Sequence, residues 1–129
     1  MAHGEQETRN VALIQEMYET VLFPLDATHV DRFISADYIQ HSTMAEPGRE
    51  ALKSWLRARR EDSPDAHQTL HRMLADGDKV VAHLHVTRWK GDRGVAVMDM
   101  YRIADDRIAE HWEVIQEVPE HPINPNPMF

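Results

Sequence analysis

Hydrophobic positions along this chain change period once, near its middle. Across residues 5–22 the apolar side chains Val11, Ile14, Tyr18, Val21 and Leu22 recur at three- and four-residue steps, which predicts a helix lying on a core, and Pro24 ends it. A short second helix is predicted over about 28–35, because Asp26 and Thr28 can cap its start while Val30, Phe33 and Ile34 line one side. Ala36-Asp37 then leads out into Tyr38-Ile39-Gln40-His41. Pro47-Gly48 opens a third helix running to about residue 60, with Leu52, Trp55 and Leu56 inward and the charged run RARRED at its end.

Beyond Ser63-Pro64 the period falls to two. Strands are predicted at about 67–74, 79–89, 95–103 and 107–117, separated by the turns Asp76-Gly77-Asp78, Gly91-Asp92 and Asp105-Asp106. Such short connections imply an antiparallel sheet. Helices followed by a meander of strands make an α+β domain, and the length suits one domain over residues 1–129. The last residues, EHPINPNPMF, are too proline-rich to continue a central strand, yet Ile123, Met128 and Phe129 are apolar enough to dock.

One strand breaks its own pattern. Val95, Val97, Asp99, Tyr101 and Ile103 share a face, which places a carboxylate among apolar neighbours. Burying such a group without a partner costs several kcal/mol or raises its pKa, and a carboxyl of raised pKa suits general acid–base chemistry. The register of the last hairpin decides what Asp99 meets. A two-residue loop at Asp105-Asp106 puts Asp99 opposite Trp112; a three-residue loop puts it opposite His111, and both remain open. The bland alternative is a structural carboxylate satisfied by Tyr101, Arg102 or a backbone amide.

Composition narrows the chemistry. Lys plus Arg number 14 against 22 Asp plus Glu, a net charge of −8 with no basic arm, which argues against nucleic acid as a partner. The absence of cysteine removes disulfides, thiolate catalysis and cysteine-ligated metals, and suits a reducing cytoplasm. The longest apolar run is four residues, as in Val11 to Ile14, so no membrane association is expected.

Further polar candidates surround Asp99. His83 and His85 alternate with Ala82 and Leu84 and so share a face, and His71 on the preceding strand lies near His83 if the DGD turn is tight. Those three histidines with Asp99 could form a zinc or iron site, but the spacing lacks a metal signature, so pocket lining or proton relay is the expectation and no cofactor or metal is assigned. Tyr38 and His41 could hydrogen-bond a substrate carbonyl, with a loop role as the alternative. Trp55 reads as core, Trp112 as core and pocket wall together, and His111 and Gln116 as secondary ligand contacts. Glu110 and Glu113 read as solvated charge.

The segments YIQH, GDKVVAH, DMYRIADDRIAEHWEVIQ and NPMF, in this order and spacing, resemble the SnoaL-like polyketide cyclases of the NTF2-like superfamily. The resemblance implies an NTF2-like cone: N-terminal helices packed on a curved antiparallel sheet that encloses a pocket. It implies cofactor-independent acid–base chemistry on a small hydrophobic carbonyl-containing ligand, such as intramolecular aldol cyclisation or isomerisation, of lyase or isomerase class. In such cyclases one pocket Asp moves the proton and a His on a neighbouring strand holds the enolate oxygen. Asp99 matches the first and His85 the second, with Tyr38 or His41 assisting. The resemblance also implies a homodimer through the outer sheet face, to which Val80, Ala82, Leu84 and Val86 could contribute. The rival expectation is a non-catalytic NTF2-like ligand-binding or dimeric structural protein.

Overall fold

A computed structural model describes residues 4–129. Helix α1 spans Glu5–Met17 and passes without a break into a π-helical turn, Tyr18–Leu22. Glu5 and Glu7 sit in its first turn, where carboxylates complement the helix dipole, and Glu7 accepts the Gly4 N–H at 3.0 Å. The wider π turn brings Tyr18 and Val21 onto the buried side together, continuing the face of Ile14 and Met17. Full burial of Ile14, Met17 and Val21 stabilises the docked helix by about 1.5–3 kcal/mol each.

Helix α2 is shorter than predicted, Val30–Phe33, because Ile34 adopts extended dihedrals and starts strand β1, Ile34–Gln40. Helix α3 covers Arg49–Asp62 and buries Leu56; Trp55, expected to point inward, is 43% exposed. The remaining strands, β2 (His67–Asp76), β3 (Lys79–Thr87), β4 (Val95–Ala104) and β5 (Arg107–Glu117), fall close to their predicted bounds.

The sheet has the order β1-β5-β4-β3-β2 and is mixed, which corrects the antiparallel expectation: three antiparallel hairpins carry β1 at the edge, parallel to β5. Parallel pairing needs a long connection, and the whole run from α3 through β4 supplies it. Helix α1 packs on the inner face against β2 and β3. Val80, Ala82 and Leu84, offered above as an outer dimer face, instead lie at 0–1% exposure in the core with Val97, Tyr101, Ile103 and Ile108. The outer face presents Leu74, Met98 and Val114, all well exposed.

The β3–β4 connection is held by one arginine. Arg88 donates from its backbone N and its Nε to Asp92 Oδ2, at 2.9 and 2.8 Å, and from Nη1 to Glu117 at 2.6 Å. Gly94 follows at φ +83°, where a Cβ would overlap the Val86 carbonyl oxygen and lie 2.7 Å from His85 Nε2. Only glycine fits such a conformation at so close an approach.

Candidate active site

Asp99 faces the helices from the middle of β4, and the register of β5 determines its company. The hairpin has the predicted two-residue turn, pairing Ala104 with Arg107 and Ile103 with Ile108. Between that pair and Arg102↔Glu110 the register slips, with Ala109 as the extra residue of a β-bulge. Every later residue of β5 therefore changes face, so neither expected register is formed: Asp99 pairs with Glu113, Tyr101 with His111, and Trp112 with Met100 on the opposite side. His111 and Glu113 share the inner face with Asp99.

Asp99 is 6% exposed and His111 8%, and every polar atom of both side chains has a partner. Tyr18, carried in by the π turn, donates its hydroxyl to Asp99 Oδ2 at 2.6 Å, and the Tyr101 hydroxyl lies 2.8 Å from that of Tyr18. With the Tyr18 proton committed to the carboxylate, Tyr101 donates to Tyr18. His111 Nε2 lies 2.8 Å from Asp99 Oδ1 and its Nδ1 lies 2.8 Å from Gln40 Oε1.

These contacts fix where protons sit. The Ser42 backbone N–H, which can only donate, points at Gln40 Oε1 at 2.9 Å, while Gln40 Nε2 donates to the Tyr38 hydroxyl at 2.7 Å. Gln40 Oε1 is thus an acceptor, and His111 Nδ1 must carry a proton to donate to it. Nε2 and Oδ1 then need one further proton between them. An imidazolium facing a carboxylate and an imidazole facing a carboxylic acid both satisfy the geometry, and in either form the two side chains share one hydrogen bond.

Burial, reinforced by the nearby Asp99 charge, pushes the Tyr18 and Tyr101 hydroxyls well above the usual phenol range, so both stay protonated donors. Tyr38 is raised for the same two reasons. Glu113, expected to be solvated, is drawn into the site by the bulge. Burial raises its pKa, a hydrogen bond from the Ser42 hydroxyl opposes the rise, and the Asp99 charge adds to it. Among the described residues, ligating atoms of Asp99, His111 and Glu113 lie within 4.8 Å of one another, a set that could take a divalent cation if the Asp99–His111 bond opened.

The other sequence candidates lie elsewhere. His83 and His85 point to the outer face, where Phe129 of the docked tail stacks on His71 and His85 with ring centroids 4.9 and 4.5 Å apart. His85 hydrogen-bonds the Arg93 carbonyl at 2.7 Å, so the structure does not bring it to Asp99, and no grouping of these three histidines with Asp99 forms. His41 stacks on Trp112 at 4.9 Å and contacts Glu110, also outside, and Gln116 is exposed on that side. Of the expected site, Asp99, Tyr38 and His111 come together. Tyr18, Gln40, Ser42 and Glu113 were not foreseen; they are placed by the π turn, by strand β1 and by the bulge, which side-chain periodicity does not report. Two surface hollows stand out, one between β1, α3 and the β4–β5 turn and one along β2, and neither is lined by Asp99.

A family model of the SnoaL-like domain matches residues 14–111. The chain belongs to the SnoaL-like family. Solved structures share the fold of this SnoaL-like domain at low identity. A candidate polyketide cyclase from Bacillus cereus ATCC 10987 superposes with a TM-score of 0.71 at 23% identity, over 84% of this chain and 74% of that one. An NTF2-like protein of unknown function from Mesorhizobium loti gives 0.74 at 15%, over 89% and 97%. AclR, a candidate hydroxylase from Streptomyces galilaeus, gives 0.71 at 19%, over 91% of each chain. No curated protein sequence matches this SnoaL-like domain significantly. Among the described residues no helix is long and apolar enough to cross a membrane.

Proposed function

We propose that this SnoaL-like domain performs cofactor-independent acid–base chemistry on a small carbonyl-containing, polyketide-like molecule, with Asp99 as the proton-transferring group. The observation that carries this reading is the buried Asp99–His111 contact: Asp99 Oδ1 and His111 Nε2 lie 2.8 Å apart while Gln40 engages the other imidazole nitrogen. A carboxylate has lone pairs left after its bonds to His111 and Tyr18. One of them takes the proton from a carbon next to a carbonyl, leaving an enolate; the enolate carbon attacks a second carbonyl, a C–C bond forms, and the resulting alkoxide recovers the proton from Asp99. His111 and Tyr18 are positioning residues that hold the carboxyl, and the role first given to His85 passes to this inner-face set. Tyr38, held by Gln40, is the hydroxyl assigned to the enolate oxygen.

One observation favours the rival reading of a non-catalytic binding protein: Tyr18 and Tyr101 fill the space at Asp99, and neither hollow reaches it. The two separate in D2O. Uptake of deuterium next to the carbonyl of acetophenone and of longer aryl ketones, followed by NMR, is expected to be accelerated by the protein and lost in Asp99→Asn. Background rates with every ketone would instead favour binding alone.

The outer-face residues Met98 and Val114, 43% and 72% exposed, replace Val80, Ala82 and Leu84 as the surface for a homodimer. Sedimentation at micromolar concentration is expected to give twice the chain mass, and a monomer would reject the pairing. The cytoplasm, the reducing compartment suited to a cysteine-free chain, is the proposed location.

A further inference from the structure

We propose that the hollow between β1, the start of α3 and the β4–β5 turn binds an oxyanion, a carboxylate or phosphate group, through Arg49, Arg102 and Arg107. It has a volume of about 540 Å³ and lies apart from Asp99. The β1–β5 register opens it. Ile34 pairs with Ile108 and Ile39 with Glu110, so four residues of β1 span an interval that Ala109 alone spans on β5, and the edge strand swings away. Alanines at 36, 104 and 109 leave the gap unfilled.

Three guanidinium groups line the gap in an otherwise acidic protein. Each is held by one part of its fork: Arg102 Nε donates to Glu110 at 2.8 Å, Arg107 Nε to the Asp31 carbonyl at 3.2 Å, and Arg49 Nη1 to the Ile34 carbonyl at 3.2 Å. These anchors order the side chains and leave further N–H groups for a ligand, which suits the planar, bidentate recognition of oxyanions.

A second observation is independent of charge. Arg49 Nε is the one buried side-chain nitrogen or oxygen among the described residues with no hydrogen-bond partner. The Asp31 carboxylate lies 3.2 Å from it, near enough for attraction but misaligned for a hydrogen bond, and the same Asp31 oxygen is taken by Lys53 Nζ at 2.7 Å. A buried donor left in that state is stabilised by an incoming acceptor. Asp31, Asp37 and Asp105 also line the hollow and oppose an anion, so the site takes a compact group held by the arginines rather than a highly charged chain.

The test is an amide chemical-shift titration of the full chain with sodium phosphate and, separately, sodium acetate, against sodium chloride at matched ionic strength. Saturable shifts are expected at residues 35–37 and 107–109 with at least one oxyanion and not with chloride, and the tighter of the two names the ligand's head group. Arg107→Gln, at an exposed position, is expected to weaken binding about tenfold. Ala36→Glu, also exposed, places a carboxylate in the hollow and is expected to abolish it. Absence of saturation with both oxyanions, or binding that both variants leave intact, overturns the proposal. Deuterium uptake at acetophenone in the same variants separates this site from the Asp99 reading, since it is expected to be unchanged.

Discussion

Replacing Asp99 by asparagine tests the hydrogen bond it shares with His111 directly, and the geometry sets the size of the effect. The substituted side chain would keep one oxygen to accept from Tyr18, as Oδ2 does at 2.6 Å, and would turn an NH2 group toward His111 Nε2, 2.8 Å from Oδ1. That ring nitrogen has a free lone pair when Nδ1 holds its proton for Gln40. Every partner is retained, so Asp99→Asn should cost less than about 1 kcal/mol, or roughly 4 °C in Tm for a domain of this size. Asp99→Ala leaves the Tyr18 hydroxyl and His111 Nε2 unmatched in a buried site, about 1–3 kcal/mol each and roughly 8–20 °C together. Thermal melts give the cost, and long-range proton–nitrogen spectra of His111 give the tautomer, expected in the Asn variant as protonated Nδ1 and bare Nε2. An Asn variant that melts as low as the Ala variant, or carries its proton on Nε2, would refute the assignment of protons.

Burial, with the Asp99 charge, holds Glu113 above the usual glutamate range, so the folded chain keeps that proton to higher pH than the unfolded chain and loses the associated stability as pH rises through the folded value. Glu113→Gln keeps an acceptor for Ser42 and cannot ionise; its Tm relative to wild type should rise with pH above about 4, and a pH-independent difference would count against the buried carboxyl. Gly94→Ala drives a methyl into the Val86 carbonyl oxygen at φ +83° and should lower stability by at least about 2 kcal/mol, read by denaturant titration; a loss under half that would show that the β3–β4 connection yields. EDTA should leave Tm unchanged, because Oδ1 and Nε2 already bond one another; a fall reversed by zinc would make Asp99, His111 and Glu113 a metal centre.

Much of the architecture was legible from the sequence because long periodic segments carry their own signal. The stripe from Val11 to Leu22 and the four period-two runs are each seen close to where they were expected. Strand β1 was missed because Phe33 and Ile34 continue the apolar side of α2, and only the dihedrals of Ile34 reveal the change. Asp99 stood out as a charge on an apolar face. Its partners did not, since the stretch of the inner face of β5 beside it is polar, with His111 and Glu113 ahead of Ile115, while Trp112 and Val114 supply an apolar alternation on the outer face. Hydrophobicity there points to the wrong side, and no periodicity separates a polar inner face from solvent. Tyr18 read as an ordinary member of the helical stripe, although its hydroxyl holds the carboxylate.

The extra residue at Ala109 makes the composition of the inner face sensitive to chain length. Adding one residue directly after it, with the bulge kept, would leave the turn and the strands intact but turn over the rest of β5, replacing His111 and Glu113 beside Asp99 with Glu110, Trp112 and Val114. A hydrogen-bonded polar cluster would give way in one genetic step to an indole-lined one, without any side chain being substituted. Among relatives of this fold, insertion of a single residue just after the bulge would therefore be a quicker route to a different chemistry than a series of point changes, and equally a quick route to none.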